Sequence, residues 1–417
     1  MNETSTAARM PEIRVPGTLT LCGLIAGLAL GMALNGTAAL PTLLEVARPL
    51  GAFWLKALKM TILPLAAGLM FTGIVETAAA ANAGAMARRT LGLIVGILAA
   101  SAMLGGTLMP LLLHLFPAPA PAPAIATPLA MRLTPQLPGL GDFLASLVPS
   151  NIVAAAADDA MLPVIVFVAL FAAATTRLAE TPRRQLALLF EGLAGAMIVV
   201  IGWVLMAAPL GVFALGLSLS ASSGAAAIGT LAHYIVLVST LGAVFLLSAY
   251  PLAVLAGRKH PSAFARAALA AQVVAISTQS SLASVPAMLA SCRDLRVRPA
   301  TAEFVLPLAV TLFRATSPAM NMGVAIYAAH MAGYPLTPTA IAAGGLVAFV
   351  TTFGTVSLPG TISFIASTGP ITAAMGAPLW PLGVLVAVEM LPDVMRTVAN
   401  VTMDVAITSA VDEGMGS

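Results

Sequence analysis

Glu389, Asp393, Arg396, Asn400 and Asp404 place three carboxylates, one guanidinium and one amide along a single apolar stretch, with Thr397 beside them. At about 100° per residue the five side chains fall within a sector of about 80°, and Thr397 lies at its edge, so the spacing predicts one helix with one polar face. A guanidinium grips a carboxylate through two parallel charge-assisted bonds, and an aspartate accepts from an ammonium group. Such a face binds a small charged solute or an ion, and the chain offers no nucleophile and base set that would make it an enzyme. The neighbouring positions are Leu, Val, Met and Ala. On an insertion scale each Asp or Arg at the centre of a membrane helix costs roughly 2.5–3.5 kcal/mol, so the stripe has to face a partner, an ion or a solute.

Composition supports the membrane setting. Hydrophobic residues make up 59% of the chain and charged ones 8%, with a mean hydropathy of +1.00, whereas a soluble domain carries about 25% charge. Over 417 residues there is room for about eight spans of about 20 residues, which makes an all-α multi-pass membrane protein with the lipid bilayer as its partner. Cys22 and Cys292 lie far apart and give no disulfide or metal pattern, and His114, His233, His260 and His330 have no metal-ligand spacing. The net charge of +3 comes from clusters next to the spans, so it gives no reason to propose a nucleic-acid partner.

The elements that must position the stripe are apolar blocks at about 16–36, 43–78, 89–116, 140–176, 186–218, 227–256, 262–291, 302–331, 337–370 and 378–411. Several exceed one bilayer crossing and must tilt, break, or enter and return. Blocks 262–291 and 337–370 carry polar clusters at their middle, Ser277-Thr278-Gln279-Ser280-Ser281 and Thr351 to Gly360. These predict re-entrant helical hairpins, because irregular backbone at membrane depth is tolerated only where it is buried in protein or lines a cavity. Arg9, Arg14, Arg88, Arg89, Arg177, Arg183, Arg184, Arg258, Lys259, Arg293, Arg296 and Arg298 then fall on one side. By the positive-inside rule both termini are cytoplasmic, and the expected location is the plasma membrane, in a bacterium the inner membrane. Pro117–Pro138, rich in Ala-Pro, reads as a stiff extended loop on the outer side.

The hairpins also reveal an internal repeat. Each is followed by a block with polar residues at mid-membrane, 262–291 by 302–331 and 337–370 by 378–411. Entry from opposite sides makes the pair an inverted repeat, a pattern that points to a secondary transporter with its site where interrupted helices meet.

These residues resemble the glutamate/aspartate transporter family, the dicarboxylate/amino acid:cation symporters. The resemblance rests on the Ser/Thr cluster of the first hairpin, Gly354-Thr355 and Pro359-Gly360 in the second, Asp393, Arg396-Thr397, Asn400 and Asp404 in the last helix, and Leu147-Val-Pro-Ser-Asn151 earlier. It implies eight transmembrane helices plus two hairpins, a homotrimer, and elevator-type alternating access. It implies that Arg396 binds the distal carboxylate of an acidic amino acid, Asp393 its amino group, and Thr397 and Asn400 the region of the main carboxylate. Ser280 and Ser281 match the first tip, where the α-carboxylate is held, and Ser317 stands where a Thr lies near the distal carboxylate. Thr355 to Ile362, with Leu358, Pro359, Gly360 and Ile362 against the solute, match the extracellular gate. No organic cofactor is implied, and sodium or a proton is the expected coupling ion.

One motif departs from the family. Where the pattern reads Asn-Met-Asp-Gly-Thr, this chain has Phe313-Arg314-Ala315-Thr316-Ser317, and Leu98 and Ala102 replace a Tyr and a Ser around one sodium, although Ser101 stands at the matching Thr. Asp404 and Asn400, which help to hold another sodium, are present. Arg314 is expected to supply a fixed positive charge in place of sodium and to pair with Asp404. Its rival roles are direct contact with the solute, which shifts specificity toward a more anionic one, and a purely structural ion pair. A second-hairpin sodium site of backbone carbonyls, near Thr311, Thr352 and Thr355, is left untouched, and proton coupling through Glu389, Asp393 or Asp404 is the other expected mode.

The resulting expectation is a carrier of small anionic solutes, aspartate or glutamate or related dicarboxylates, with sodium coupling reduced or replaced. The alternatives are a C4-dicarboxylate or neutral amino acid carrier, or a solute sensor that does not transport. The expected division is a scaffold of 1–80 and 140–220, and a transport part of 81–139, with the Pro/Ala loop, and 221–417.

Overall fold

The computed structural model of the protein describes residues 16–81, 84–117, 145, 147–158, 160–223, 226–353 and 360–415, and every regular element among them is a helix. In chain order these are α1 (Gly17–Ala33), α2 (Ala39–Ala81), α3 (Ala85–Leu115), α4 (Ile152–Ala157), α5 (Met161–Thr175), α6 (Glu180–Met206), α7 (Ala208–Ser223) and α8 (Ala226–Leu255). The C-terminal half continues with α9 (Pro261–Thr278), α10 (Val285–Asp294), α11 (Pro299–Leu312), α12 (Ser317–Met331), α13 (Pro338–Thr352), α14 (Gly360–Ala374), α15 (Trp380–Leu385) and α16 (Met390–Met415). Among the described residues, four helices are long and apolar enough to cross a membrane, Ala39–Ala79, Ala85–Leu115, Glu180–Met206 and Ala226–Leu255.

One group of helices packs around α2, which touches α5, α6 and α7, while α1 lies along α7. The α1–α7 seam is close because Gly23, Gly27 and Gly31 recur every fourth residue, and a Cβ at Gly23 or Gly27 would overlap the backbone carbonyl of Pro209 or Phe213. Small residues at this spacing let two helix backbones approach and gain dispersion contacts that lipid cannot supply. Across the seam between α2 and α6, Phe71 stacks on Phe190 with ring centroids 3.9 Å apart, and the Trp54 indole donates to Val204 O at 2.9 Å.

The second group surrounds α16, which packs against α3, α8, α9, α10 and α11, while α12 lies against α3, α8, α13 and α14. Proline punctuates this half. Pro261, Pro286, Pro299, Pro318, Pro338 and Pro381 each occupy one of the first two positions of a helix, where the missing N–H is no loss and the fixed φ suits the first turn.

Three of the apolar stretches are therefore broken. Block 302–331 divides at Phe313–Thr316, because Pro318 cannot accept a helix running in from residue 314. Block 186–218 divides at Ala207, just ahead of Pro209. The polar stripe does not lie on one helix throughout, since α16 begins at Met390 and Glu389 stands in the turn before it, with Pro392 in the first turn.

The first hairpin forms as expected: α9 and α10 pack on each other, and Gln279 turns the chain in the left-handed region at φ 50°. The second hairpin pairs α13 with α14. Its tip, with Thr355, Leu358 and Pro359, lies outside the described residues, as do the side chains of Gly360, Ile362 and Thr311 and the chain from 118 to 144.

Candidate functional site

Arg396 lies in the second turn of α16 and is 5% exposed. Its Nη2 meets Glu389 Oε1 at 2.5 Å, its Nη1 donates to Asn321 Oδ1 of α12, and its Nε stands 3.4 Å from Asp393 Oδ1 without hydrogen-bond alignment. Glu389 in turn accepts from the Tyr234 hydroxyl of α8 at 2.5 Å through its other oxygen. Two carboxylates and one amide therefore hold one guanidinium, which satisfies the rule that a buried charge be paired. Asp393 is half-buried in the first turn of α16, where the positive end of the helix dipole favours a carboxylate.

One turn further along, Asn400 Oδ1 accepts both the backbone N–H and the hydroxyl of Thr316, each at 3.0 Å. This bond pins the break between α11 and α12 against α16. The break leaves the first N–H groups of α12 without helical acceptors, and Ser101 of α3 accepts one of them, from Ala319, at 3.1 Å. Ser317 is buried at the start of α12, and its N–H donates to Arg314 O at 2.9 Å.

Arg314 leaves the break half-buried and donates from Nη1 to Ser363 Oγ of α14 at 3.0 Å. It stands within electrostatic reach of Asp393 and Arg396. The expected pair with Asp404 is not formed, since both carboxylate oxygens of Asp404 are buried without a hydrogen-bond partner. Asp404 lies eleven residues beyond Asp393 on α16, about 16 Å along the axis and so at a different depth.

The remaining expected residues divide. Thr397 and Thr352 bond back to their own helices, to Asp393 O at 2.9 Å and Ala348 O at 2.8 Å. Ser280 and Ser281 are half-buried at the first tip, where Ser280 Oγ accepts from Ala283 N at 3.2 Å, and none of the hydrogen bonds among the described residues joins them to α16. The residues that replace the family's sodium ligands do not fit a cation, because Phe313 and Ala315 are packed with Leu98 in one apolar cluster and offer no side-chain oxygen.

Sequence reasoning missed Tyr234, Asn321, Ser363 and the pairing role of Glu389. Asn321 carried a usable signal, being a polar side chain one turn beyond Ser317 in an otherwise apolar run. Tyr234 carried none, since one hydroxyl in a long apolar helix is ordinary.

The profile of the sodium:dicarboxylate symporter family matches residues 17–413. The chain is 26% identical over 392 residues to the proton/sodium-glutamate symport protein of Bacillus subtilis (strain 168), covering 92% of this chain and 89% of that protein. It is 28% identical over 265 residues to the proton/glutamate-aspartate symporter of Escherichia coli (strain K12), 63% of this chain and 60% of that protein. It is 24% identical over 398 residues to C4-dicarboxylate transport protein 1 of Pseudomonas aeruginosa (strain UCBPP-PA14), 91% of this chain and 83% of that protein.

Proposed function

From a chain that belongs to the sodium:dicarboxylate symporter family, a family of transporters and not of enzymes, we propose a secondary active carrier of acidic amino acids or related dicarboxylates whose sodium coupling is reduced or replaced. The carrying observation is Arg396, buried at the start of α16 among Glu389, Asp393 and Asn321. A guanidinium in that position receives a solute carboxylate when Glu389 yields it, and a neutral solute would leave the charge without a new partner.

The reduced role of sodium rests on charge arithmetic and packing. Relative to the family pattern the break loses one carboxylate, at Ala315, and gains one guanidinium, at Arg314, so it becomes more positive by two charges, the amount two sodium ions would bring. Leu98, Phe313 and Ala315 fill the neighbouring space with hydrocarbon. A proton is the favoured coupling ion, in line with the name of the Escherichia coli relative, whereas that of the Bacillus subtilis relative carries both a proton and sodium.

The wider reading is a bacterial inner-membrane homotrimer with eight spans, two hairpins and cytoplasmic termini. In it α1, α2, α5, α6 and α7 form the scaffold, and the helices around α16 form the moving part. Within each group the helices pack around one central element, α2 in the first and α16 in the second, while α13 and α14 also touch α2 and α5 across the division.

The test is uptake and exchange of labelled aspartate, glutamate and succinate in proteoliposomes with choline replacing sodium. Transport that persists in choline supports the reading, and transport that vanishes there removes the sodium-independent part. A protein that binds a solute and never moves it is a sensor.

A further inference from the structure

Two guanidiniums, those of Arg396 and Arg314, interact with Asp393 at the start of α16, and only one of them belongs to the expected solute site. The second, Arg314, is placed by geometry. Its backbone is fixed on α16 through Thr316 and Asn400, and its Nη1 reaches Ser363 near the start of α14, in the second limb of the second hairpin. Arg396 is buried, whereas Arg314 and Asp393 are half-buried, so Arg314 is the more accessible of the two guanidiniums. Asp393 Oδ1 lies 3.4 Å from Arg396 Nε, and Asp393 also interacts electrostatically with Arg314.

Resting on the carrier reading above, we infer that Arg314 is a specificity-determining residue that takes the second carboxylate of the solute, so that the pocket selects a C4-dicarboxylate with no amine. One carboxylate displaces Glu389 from Arg396, and the other meets Arg314 beside Ser363. A planar fork at each end suits a carboxylate at each end, since Arg binds this group in two parallel bonds. An α-ammonium in the same place would be repelled by Arg314, and the aspartate meant to receive it already interacts with both guanidiniums. Specificity here has a repulsive as well as an attractive part.

The experiment measures equilibrium binding of succinate, fumarate and L-aspartate to the full-length protein in nanodiscs, in sodium and in choline, for wild type, Arg314→Met and Arg314→Lys. The expected result is that wild type binds succinate at least tenfold more tightly than aspartate. Arg314→Met should weaken succinate tenfold or more and aspartate less than threefold, and Arg314→Lys should retain part of the preference. Aspartate bound as tightly as succinate by wild type overturns the inference and leaves the carrier reading standing. An equal loss of both ligands in a folded Arg314→Met protein, verified by melting temperature, overturns it too. If that variant does not fold, the wild-type preference and Arg314→Lys decide. Binding of none of the three solutes overturns the carrier reading itself, and this inference with it.

Discussion

Arg396 Nη2 and Glu389 Oε1 meet at 2.5 Å across seven residues of chain, and each side chain is 6% exposed. The contact spans the start of α16, because Glu389 precedes the helix and Arg396 sits in its second turn. An internal carboxylate thus occupies the guanidinium to which a solute carboxylate would bind. In the proposed carrier, solute entry would be an exchange of one carboxylate for another.

Arg396→Ala should abolish uptake of every acidic solute, because it removes the fork and leaves Glu389 and Asp393 without their shared counter-charge. Breaking one side of a buried pair costs about 3–5 kcal/mol, so the melting temperature should fall as well. Uptake in proteoliposomes, set against the amount of folded protein, checks both.

Glu389→Gln keeps a side chain that accepts from Tyr234 but no longer competes with a negative charge. Apparent affinity for dicarboxylates should rise, by about tenfold for each 1.4 kcal/mol of competition removed. Tyr234→Phe separates competition from packing. It leaves Glu389 Oε2 without its donor, at about 1–3 kcal/mol, and should lower stability with little gain in affinity. Binding isotherms and melting curves on the two variants distinguish these effects.

Gly27→Leu should disrupt the seam between α1 and α7, since even a Cβ there would overlap the Phe213 carbonyl. Overpacking of this kind costs about 1–3 kcal/mol or more. The readout is the yield of monodisperse protein in detergent. Gly92→Ala is the control, because nothing lies within 4 Å of its added Cβ and helix propensity favours Ala by about 1 kcal/mol.

Arg298→Gln should loosen the last turn of α16. Arg298 Nε meets Asp412 Oδ1 at 2.7 Å and its Nη2 meets Asp412 O at 2.5 Å, while Thr301 adds a bond to the same carboxylate at 2.7 Å. Half of the Arg298 side chain is exposed, so solvent screening limits the loss to about 1 kcal/mol. Thermal melts at low and high salt should differ for wild type and converge for the variant.

The polar face of α16 was legible because 3.6-residue spacing survives any packing, and the first hairpin was legible because its mid-block Ser/Thr cluster recurs in a second block, although Ser277 and Thr278 themselves bond back to their own helix. The breaks were less so. Hydropathy does not register a break between two apolar half-helices, and the residues that mark them are Pro318 and Pro392, which carry no polarity. The partner of Arg314 was misjudged for a related reason. Angular position puts Asp393 and Asp404 on one face, but depth along the axis separates them, and depth depends on where α11 ends. The guanidinium followed the break, not the face.

The far end of α16 is gripped from three directions: Arg89 of α3 donates to Gly414 O at 2.8 Å, Arg298 ahead of α11 holds Asp412, and Arg258 after α8 lies 3.1 Å from Glu413 Oε1. Sliding this helix lengthwise past those neighbours would break several charged bonds at once, each modest because it is partly exposed. In the carrier proposed above, a displacement of Arg396 would carry α3, α8 and α11 along with it, with slippage left to the greasy contacts elsewhere.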